Sequence, residues 1–587
     1  MTRRLVVIAA AVLVLIVVAG PPSIAGQQPG ALVIDGATLI DGTGAPPVPD
    51  SVLVIENGKI ASLGPRSQVR IPAGARTVYA RGKYIIPGLV DSHVHYRSWM
   101  GELFLNNGVT TIFDFGNDND YIFPVRDAER SGKVKNIPRF FVVGQAINRP
   151  GGNFAPSQGA NAGTPAGRAP AGSPQGPEWA LNAAKDRISK GIDAVKVTSD
   201  NLTAEEVKAI TDEAHKANLK VIGHTTDVYK YVGNGFDGVV HSWAVAATLM
   251  TPEDRKKWGE EGAIMNPYAF MDPSKVEPLI KFMVERRASF MPMVLNDLAG
   301  LTPRARYYEG EVADLYRDTE LRYVPEETML AQMAMFRKFR SYSKTVGEYP
   351  HVNRLDPAKL DEARRGYAAA VDFAVRFARA GGRLWLGTDT PGSAGVPGMS
   401  IRQEIQILVD GGLTPMQAIQ TASKNTAELF NKADQVGTLQ VGRWGDLLIL
   451  DGDPLGDIGN IDRINTVIKA GEVLDGRYHA TYHPPFWAEN EAGRFDSHTY
   501  NVAEIASVAS EPGSAGATTI VVKGRNFYDI SLVYLNGRPL ATTFVNIGEL
   551  RAILRADERP AAGPYKVTVR NWWPGGGETE PKPLVVQ

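Results

Sequence analysis

The stretch PGLVDSHVHY (residues 87–96) closes an apolar run with two histidines one residue apart. In an extended strand successive side chains alternate between faces, so His93 and His95 point the same way. The chain has nine histidines among 587 residues. Two imidazoles on one face are therefore either a coincidence or half of a metal site, and other segments must supply the other half.

Working outward, the same kind of segment recurs. Short runs rich in β-branched and aromatic residues lie at 84–96, 109–115, 139–145, 193–199, 219–225, 237–243, 288–294 and 383–390. Helical patterns separate several of them, such as TAEEVKAITDEAHKAN (203–218) and RRGYAAAVDFAVRFARAGG (364–382). Eight strand–helix units over this span predict an α/β fold: a (β/α)8 TIM barrel, residues 87–432, with insertions. The Gly-, Ala-, Pro- and Ser-rich stretch 148–177 reads as a long loop. Residues 295–363 read as a helical insertion placed to cover the barrel mouth.

Both flanks of that middle are β-rich. Residues 26–86 hold alternating strands with an Asn57-Gly58 hairpin signal, and 433–485 return the same texture. One small β-sandwich completed by both flanks is expected. After a linker at 486–509, residues 510–587 read as a second, Ig-like β-sandwich.

At the N-terminus, Arg3 and Arg4 precede an apolar run from Leu5 to Ala19, and Ser23-Ile24-Ala25 offers a cleavage site. That layout predicts a signal peptide, 1–25, and an exported protein, periplasmic or extracellular. The apolar run is shorter than the ~20 residues a spanning helix needs, so no membrane span is expected after cleavage. Lys plus Arg is 63 and Asp plus Glu 64, which gives no electrostatic case for a nucleic-acid partner. The absence of cysteine excludes disulfides, thiolate metal ligands and a cysteine nucleophile. Any metal must be held by His, Asp, Glu or a modified Lys.

The polar residues of interest fall at predicted strand ends: His93 and His95 at the first, Lys196 in the fourth, His224 at the fifth, His241 at the sixth and Asp389 at the eighth. In a (β/α)8 barrel those ends meet at one mouth, where active sites are built. Singly, each has a plain structural reading; jointly, they predict a metal site. Nitrogen and oxygen donors without sulfur suit Zn²⁺, with Mn²⁺, Fe²⁺ or Co²⁺ as alternatives. His215, His351, His479, His483 and His498 read as structural or solvated.

PGLVDSHVHY, Lys196, His224, His241 and GTDT (387–390) together resemble the metal-dependent amidohydrolase superfamily, and within it the imidazolonepropionase-like and Xaa-Pro-dipeptidase-like branch. GGLTPMQAIQTASKNTAELFN (411–431) and GTLQVGRWGDLLILDGDPL (437–455) are similar to that branch's ending. The resemblance implies two divalent metal ions. His93, His95 and Asp389 would bind the more buried ion, His224 and His241 the second, and a carbamylated Lys196 would bridge them. A one-metal centre with an unmodified Lys196 is the alternative. The implied reaction is attack of a metal-activated hydroxide on a C–N bond of an amide, cyclic amide or dipeptide. Asp389 would be the acid–base, and His241 would help hold the oxyanion. Lactone or ester hydrolysis, or deamination, on the same centre is a second reading. A non-catalytic surface-binding protein is a third. The branch's Gly-Gly-His is here Gly151-Gly152-Asn153, a departure that touches substrate contact and not the metal ligands.

Residues 510–587 are similar to an IPT/TIG immunoglobulin-type domain. A packing or attachment role is the expectation for this module, with a glycan or surface contact through Trp572 and Trp573 as an alternative; self-association as a homo-oligomer is a further option.

Overall fold

The computed structural model describes residues 30–149, 175–199, 201–261, 267–325, 357–392, 395–482 and, with short breaks, 328–337 and 503–584. The expected signal peptide, Gly151-Gly152-Asn153, His351, His483, His498, Trp572 and Trp573 lie outside the described residues. Among the described residues no helix is long and apolar enough to cross a membrane.

The run 84–96 is two strands, not one. Tyr84–Pro87 belongs to a mixed sheet and Leu89–Val94 (β1) to a parallel one. β1 pairs with β2 (Val109–Asp114), which pairs with β3 (Arg139–Val142), all parallel. A second parallel sheet runs β4 (Val195–Val197), β5 (Val221–Gly223), β6 (Gly238–Val240) and β7 (Ser289–Met291). Every residue of these seven strands is buried, the pattern of parallel strands covered on both faces.

The expected eighth strand, 383–390, is not continuous. It keeps single parallel bridges at its ends, Leu384 with Phe290 and Thr390 with Val94. Its backbone is still tied on both sides. Phe290 N donates to Arg383 O at 3.0 Å, Asp389 N to His93 O at 2.7 Å and His95 N to Thr390 O at 2.8 Å. Beyond β3, Ile147 bridges Val197 of β4. The fold is thus α/β with several sheets.

Close approach demands glycine at two of these crossings. A Cβ on Gly223 would sit 1.8 Å from Val197 O, and one on Gly387 would sit 2.5 Å from His93 N. Each glycine lets a site-bearing segment lie against its neighbour.

The two flanks meet in one eight-stranded sheet rather than in separate layers. Its path runs Glu472–Val473, Ile464–Lys469, Leu447–Leu450, Tyr84–Pro87, Leu32–Leu39, Val48–Glu56 and Lys59–Pro65, with Arg76–Tyr79 beside Leu32–Leu39. The predicted hairpin sits at Asn57 (φ 51°) and Gly58 (φ 75°), the positive-φ pair of a type I′ turn. Two buried ion pairs fasten this sheet to the other elements: Arg139 with Asp446 at 3.0 Å and Lys469 with Glu129 at 2.8 Å. Arg139 opens β3, so this contact lies at the strand end opposite the predicted ligands.

The described part of the insertion up to residue 337 folds into short helices, including Ala305–Leu315. Two of its tyrosines serve packing: Tyr308 donates to Gln403 O at 3.2 Å and Tyr323 to Glu102 Oε2 at 3.0 Å, both side chains buried. The C-terminal residues form two four-stranded sheets around their own apolar core. Their first strand, Glu504–Pro512, begins inside the expected linker because its alternation pairs it with Thr518–Arg525.

Two histidines read as structural or solvated have acidic partners. His215 Nε2 is 2.8 Å from Asp237 Oδ2. His479 Nδ1 is 2.8 Å from Glu102 Oε1, and its Nε2 is 3.1 Å from Asp475 Oδ2. The hydrogen bond to Glu102 raises the His479 pKa, and the nearby Asp475 adds to it.

Two outcomes follow from this architecture. Gly223→Ala should destabilise the protein by at least the ~1–3 kcal/mol of an overpacked core, because the obstacle is backbone, and chemical denaturation reads it. Because the His479 pKa is raised on folding, its contribution is complete below its unfolded value near pH ~6.5 and fades as pH rises through the folded value. The gap in melting temperature between wild type and His479→Gln should therefore narrow from acid to alkaline buffer; a gap that widens would contradict the assignment.

Candidate metal centre

The six predicted side chains come from β1, β4, the exits of β5 and β6, and segment 383–390. The structure brings them into one cluster. Two groups of donor atoms lie within 4.8 Å of one another: His93, His224 and His241, and His93, His95 and Asp389. His93 belongs to both. Its Nε2 is 3.4 Å from Asp389 Oδ1 and 3.1 Å from Lys196 Nζ. His95 Nε2 is 2.9 Å from the same Asp389 Oδ1. The ring centroids of His224 and His241 are 4.9 Å apart.

Local chemistry explains the placement. His93 and His95 reach the same cavity because strand alternation continues through Val94. Segment 383–390 is aligned by Asp91, a buried residue of the same motif, which accepts from Thr388 N at 3.0 Å and Thr388 Oγ1 at 2.6 Å. His241 and Asp389 have φ of 67° and 57°. Non-glycine residues held there cost about 1–3 kcal/mol each, so the surrounding bonds must hold them.

Burial sets the charges. It lowers the His93 pKa well below the ordinary histidine range, with the Lys196 charge adding to the effect. Burial likewise lowers His224 and His95, although Asp389 opposes it for His95. These imidazoles are neutral, the form that donates a lone pair to a metal, so their close contacts with Asp389 are not ion pairs. Burial also brings Lys196 down to about 8. For Asp389 burial acts upward, but its neighbours, the hydrogen bond with His95 foremost, outweigh it and leave the carboxyl below its usual range.

The donor set fits divalent ions of borderline softness: neutral ring nitrogens and one carboxylate, no sulfur. His93 Nδ1 makes no hydrogen bond among the described residues, so the ring is aimed through Nε2 into the cluster. Lys196 is the exception. An ammonium 3.1 Å from the shared His93 nitrogen would repel a cation, whereas its neutral amine would not.

Three neighbours carried no signal in the sequence reading. Trp243 stacks on His241 with ring centroids 5.5 Å apart. Phe115 lies 4.5 Å from the His93 ring and supplies the carbonyl that Lys196 donates to at 2.8 Å. Asn296 donates to Asp389 Oδ2 at 3.3 Å. None sits at a spacing that sets it apart from an ordinary helix or strand residue.

Comparison with known proteins agrees with this geometry. Residues 354–474 match the family model described as Amidohydrolase family. An adenine deaminase of Paracoccus denitrificans is 30% identical over 95 residues, 15% of this chain and 16% of that protein. A dihydroorotase of Trichlorobacter lovleyi is 40% identical over 67 residues, 11% and 15% of the two chains. The matched segments thus span only about a sixth of these curated relatives. Solved structures resemble far more of the chain. Phenylurea hydrolase B aligns with a TM-score of 0.54 at 20% identity, covering 78% of this chain and all of that one (100%). A Xaa-Pro dipeptidase with bound methionine aligns at 0.52 and 20%, covering 76% and 100%. Molinate hydrolase aligns at 0.53 and 21%, covering 78% and 98%. The resemblance to the amidohydrolase superfamily read from the motifs therefore holds, and the fold is the one those structures share.

Zinc titration of chelator-treated protein should show saturable binding. His93→Asn, which removes the donor common to both groups, should weaken it by more than the ~10–100-fold lost when only an outer supporting group is changed. Equal affinity for wild type and His93→Asn would refute the centre.

Proposed function

We propose that the protein is an exported, metal-dependent hydrolase of C–N bonds acting on a small amide, cyclic amide or dipeptide. In this reading the parallel strands and segment 383–390 form a (β/α)8 barrel, supported by the bonds of that segment to both β7 and β1. One observation carries the function: four imidazoles and one carboxylate, drawn from separate strand exits, converge within coordination reach around His93. His93, His95 and Asp389 would hold one ion; His224 and His241 would hold a second. A divalent ion bound there supplies Lewis acidity, which lowers the pKa of water and polarises a carbonyl.

The chain's own groups supply the rest. Asp389 is ionised at neutral pH, and its Oδ1 is committed to His95 and His93. Oδ2 is the oxygen left to accept a proton from attacking water and to return it to the leaving nitrogen. His241 lies against Trp243 and is assigned to hold the developing oxyanion. Lys196 has a pKa near 8 through burial, so a substantial fraction is neutral amine at physiological pH. We assign it as carbamylated: the amine attacks CO₂, an N–C bond forms and a proton leaves. The product is an anionic donor where an ammonium would be repelled.

Deamination is the second reading, favoured by the adenine deaminase matches. The proton transfer through Asp389 is unchanged, and ammonia is the leaving group. Export rests on the N-terminal layout of Arg3, Arg4 and the apolar run that follows. The C-terminal module is assigned a packing or attachment role, consistent with Tyr534 joining the main apolar core.

Asp389→Asn should lower kcat by about 10²–10⁴-fold on any amide the wild type cleaves, in a screen of dipeptides, cyclic amides, lactones and purines. Undiminished turnover would remove Asp389 from the acid–base role. Protein equilibrated with ¹³CO₂ should give a carbamate NMR signal that Lys196→Met lacks; one ion per chain and no signal would leave Lys196 unmodified.

A further inference from the structure

Three strand exits in a row place a non-glycine residue at positive φ. Two are site residues, His241 and Asp389; the third is Met293, at φ 49°, after β7. Strain of this kind persists only where surrounding bonds over-determine it, and it gathers at functional sites. The turn at Met293 is held from two sides. Pro292 O accepts from Ser242 N at 2.9 Å and Ser242 Oγ at 2.7 Å. Val294 N and Leu295 N donate to the two oxygens of Glu404, at 2.8 and 2.9 Å.

Glu404 belongs to helix Met399–Asp410 and is 1% exposed. Among the described residues no cation pairs with it, and burial pushes its carboxyl up to about 7 against the pull of the two backbone donors. A carboxylate so placed costs free energy that two amide bonds only partly offset. Plain helix packing would be served better by an apolar side chain. What a carboxylate provides is two acceptor oxygens for two adjacent N–H groups, which no amide side chain can do. The residue immediately after that clamp is Asn296, and its amide meets Asp389 Oδ2 at 3.3 Å.

We propose that Asn296 is a positioning residue of the site, holding the outer oxygen of Asp389 toward the cavity, and that Glu404 acts through it by fixing the turn that carries it. This rests on Asp389 being the acid–base group. Oδ1 faces the ligand cluster, 2.9 Å from His95 Nε2; without Asn296 the carboxylate can pivot about that oxygen and swing Oδ2 out of line with the reacting atoms.

The test uses full-length, zinc-loaded protein. In a crystal structure of Asn296→Ala the Asp389 carboxylate plane should be rotated with zinc content unchanged. Where an amide substrate has been found, kcat should fall about 10–100-fold, the scale of lost supporting hydrogen bonds, with KM less affected. Asn296→Asp, which sets a second carboxylate against the first, should be worse than Ala. Glu404→Gln should speed amide exchange at 294–296 and reproduce the rotation. A carboxylate unmoved in Asn296→Ala overturns the proposal, as does Glu404→Gln that lowers thermal stability yet leaves carboxylate and kcat as in wild type. If the wild type cleaves no amide, the functional reading fails, and the carboxylate orientation still decides this one.

Discussion

The junction between the first and last site-bearing segments is the constraint on which the rest depends. Asp389 N bonds His93 O, and His95 N bonds Thr390 O. At the same place Asp389 Oδ1 meets both imidazoles. Backbone pairing and side-chain chemistry are therefore one feature. Nearly 300 residues separate the two partners, so their meeting is a property of the whole fold. The buried Asp91–Thr388 bonds below it and the close approach at Gly387 hold that register.

Around this junction the interior carries polar groups at considerable cost. Six ionisable side chains share one cluster, and burial favours the neutral form of its bases. Burial lowers the pKa of His93, His95 and His224 and brings Lys196 down to about 8, and Asp389 alone is kept anionic by its neighbours. A protein core optimised only for stability would not keep such a set. Retaining it, with strained backbone at His241 and Asp389, is what a site poised for ligands looks like.

The strand exits were legible because alternation and apolar runs report on burial, and burial is what parallel strands share. That is why His93, His95, His224, His241 and Asp389 could be placed at strand ends, and Lys196 within a strand, from the apolar runs. The eighth strand was legible as an apolar run but not as the irregular segment it is, because the positive φ at Asp389 and the bonds to β1 on one side and β7 on the other are tertiary. Asn296 and Glu404 were not legible at all. A glutamate in a helix reads as surface, and only the packing of helix Met399–Asp410 against the β7 turn buries it. The partners of His479 were hidden for the same reason, since Glu102 lies 377 residues away. The C-terminal boundary moved by a few residues because turn signals mark loops more sharply than they mark strand starts.

The sheet assembled from both flanks has an implication for synthesis. Tyr84–Pro87 has Leu447–Leu450 as its partner, and the parallel pairing of β1 starts only two residues after Pro87. While a ribosome is still making the intervening stretch, that early strand presents an open row of amides and carbonyls. Such late-arriving partners slow folding and expose sticky edges in the interim. The nascent polypeptide thus has a long vulnerable window, which a holding chaperone would need to cover.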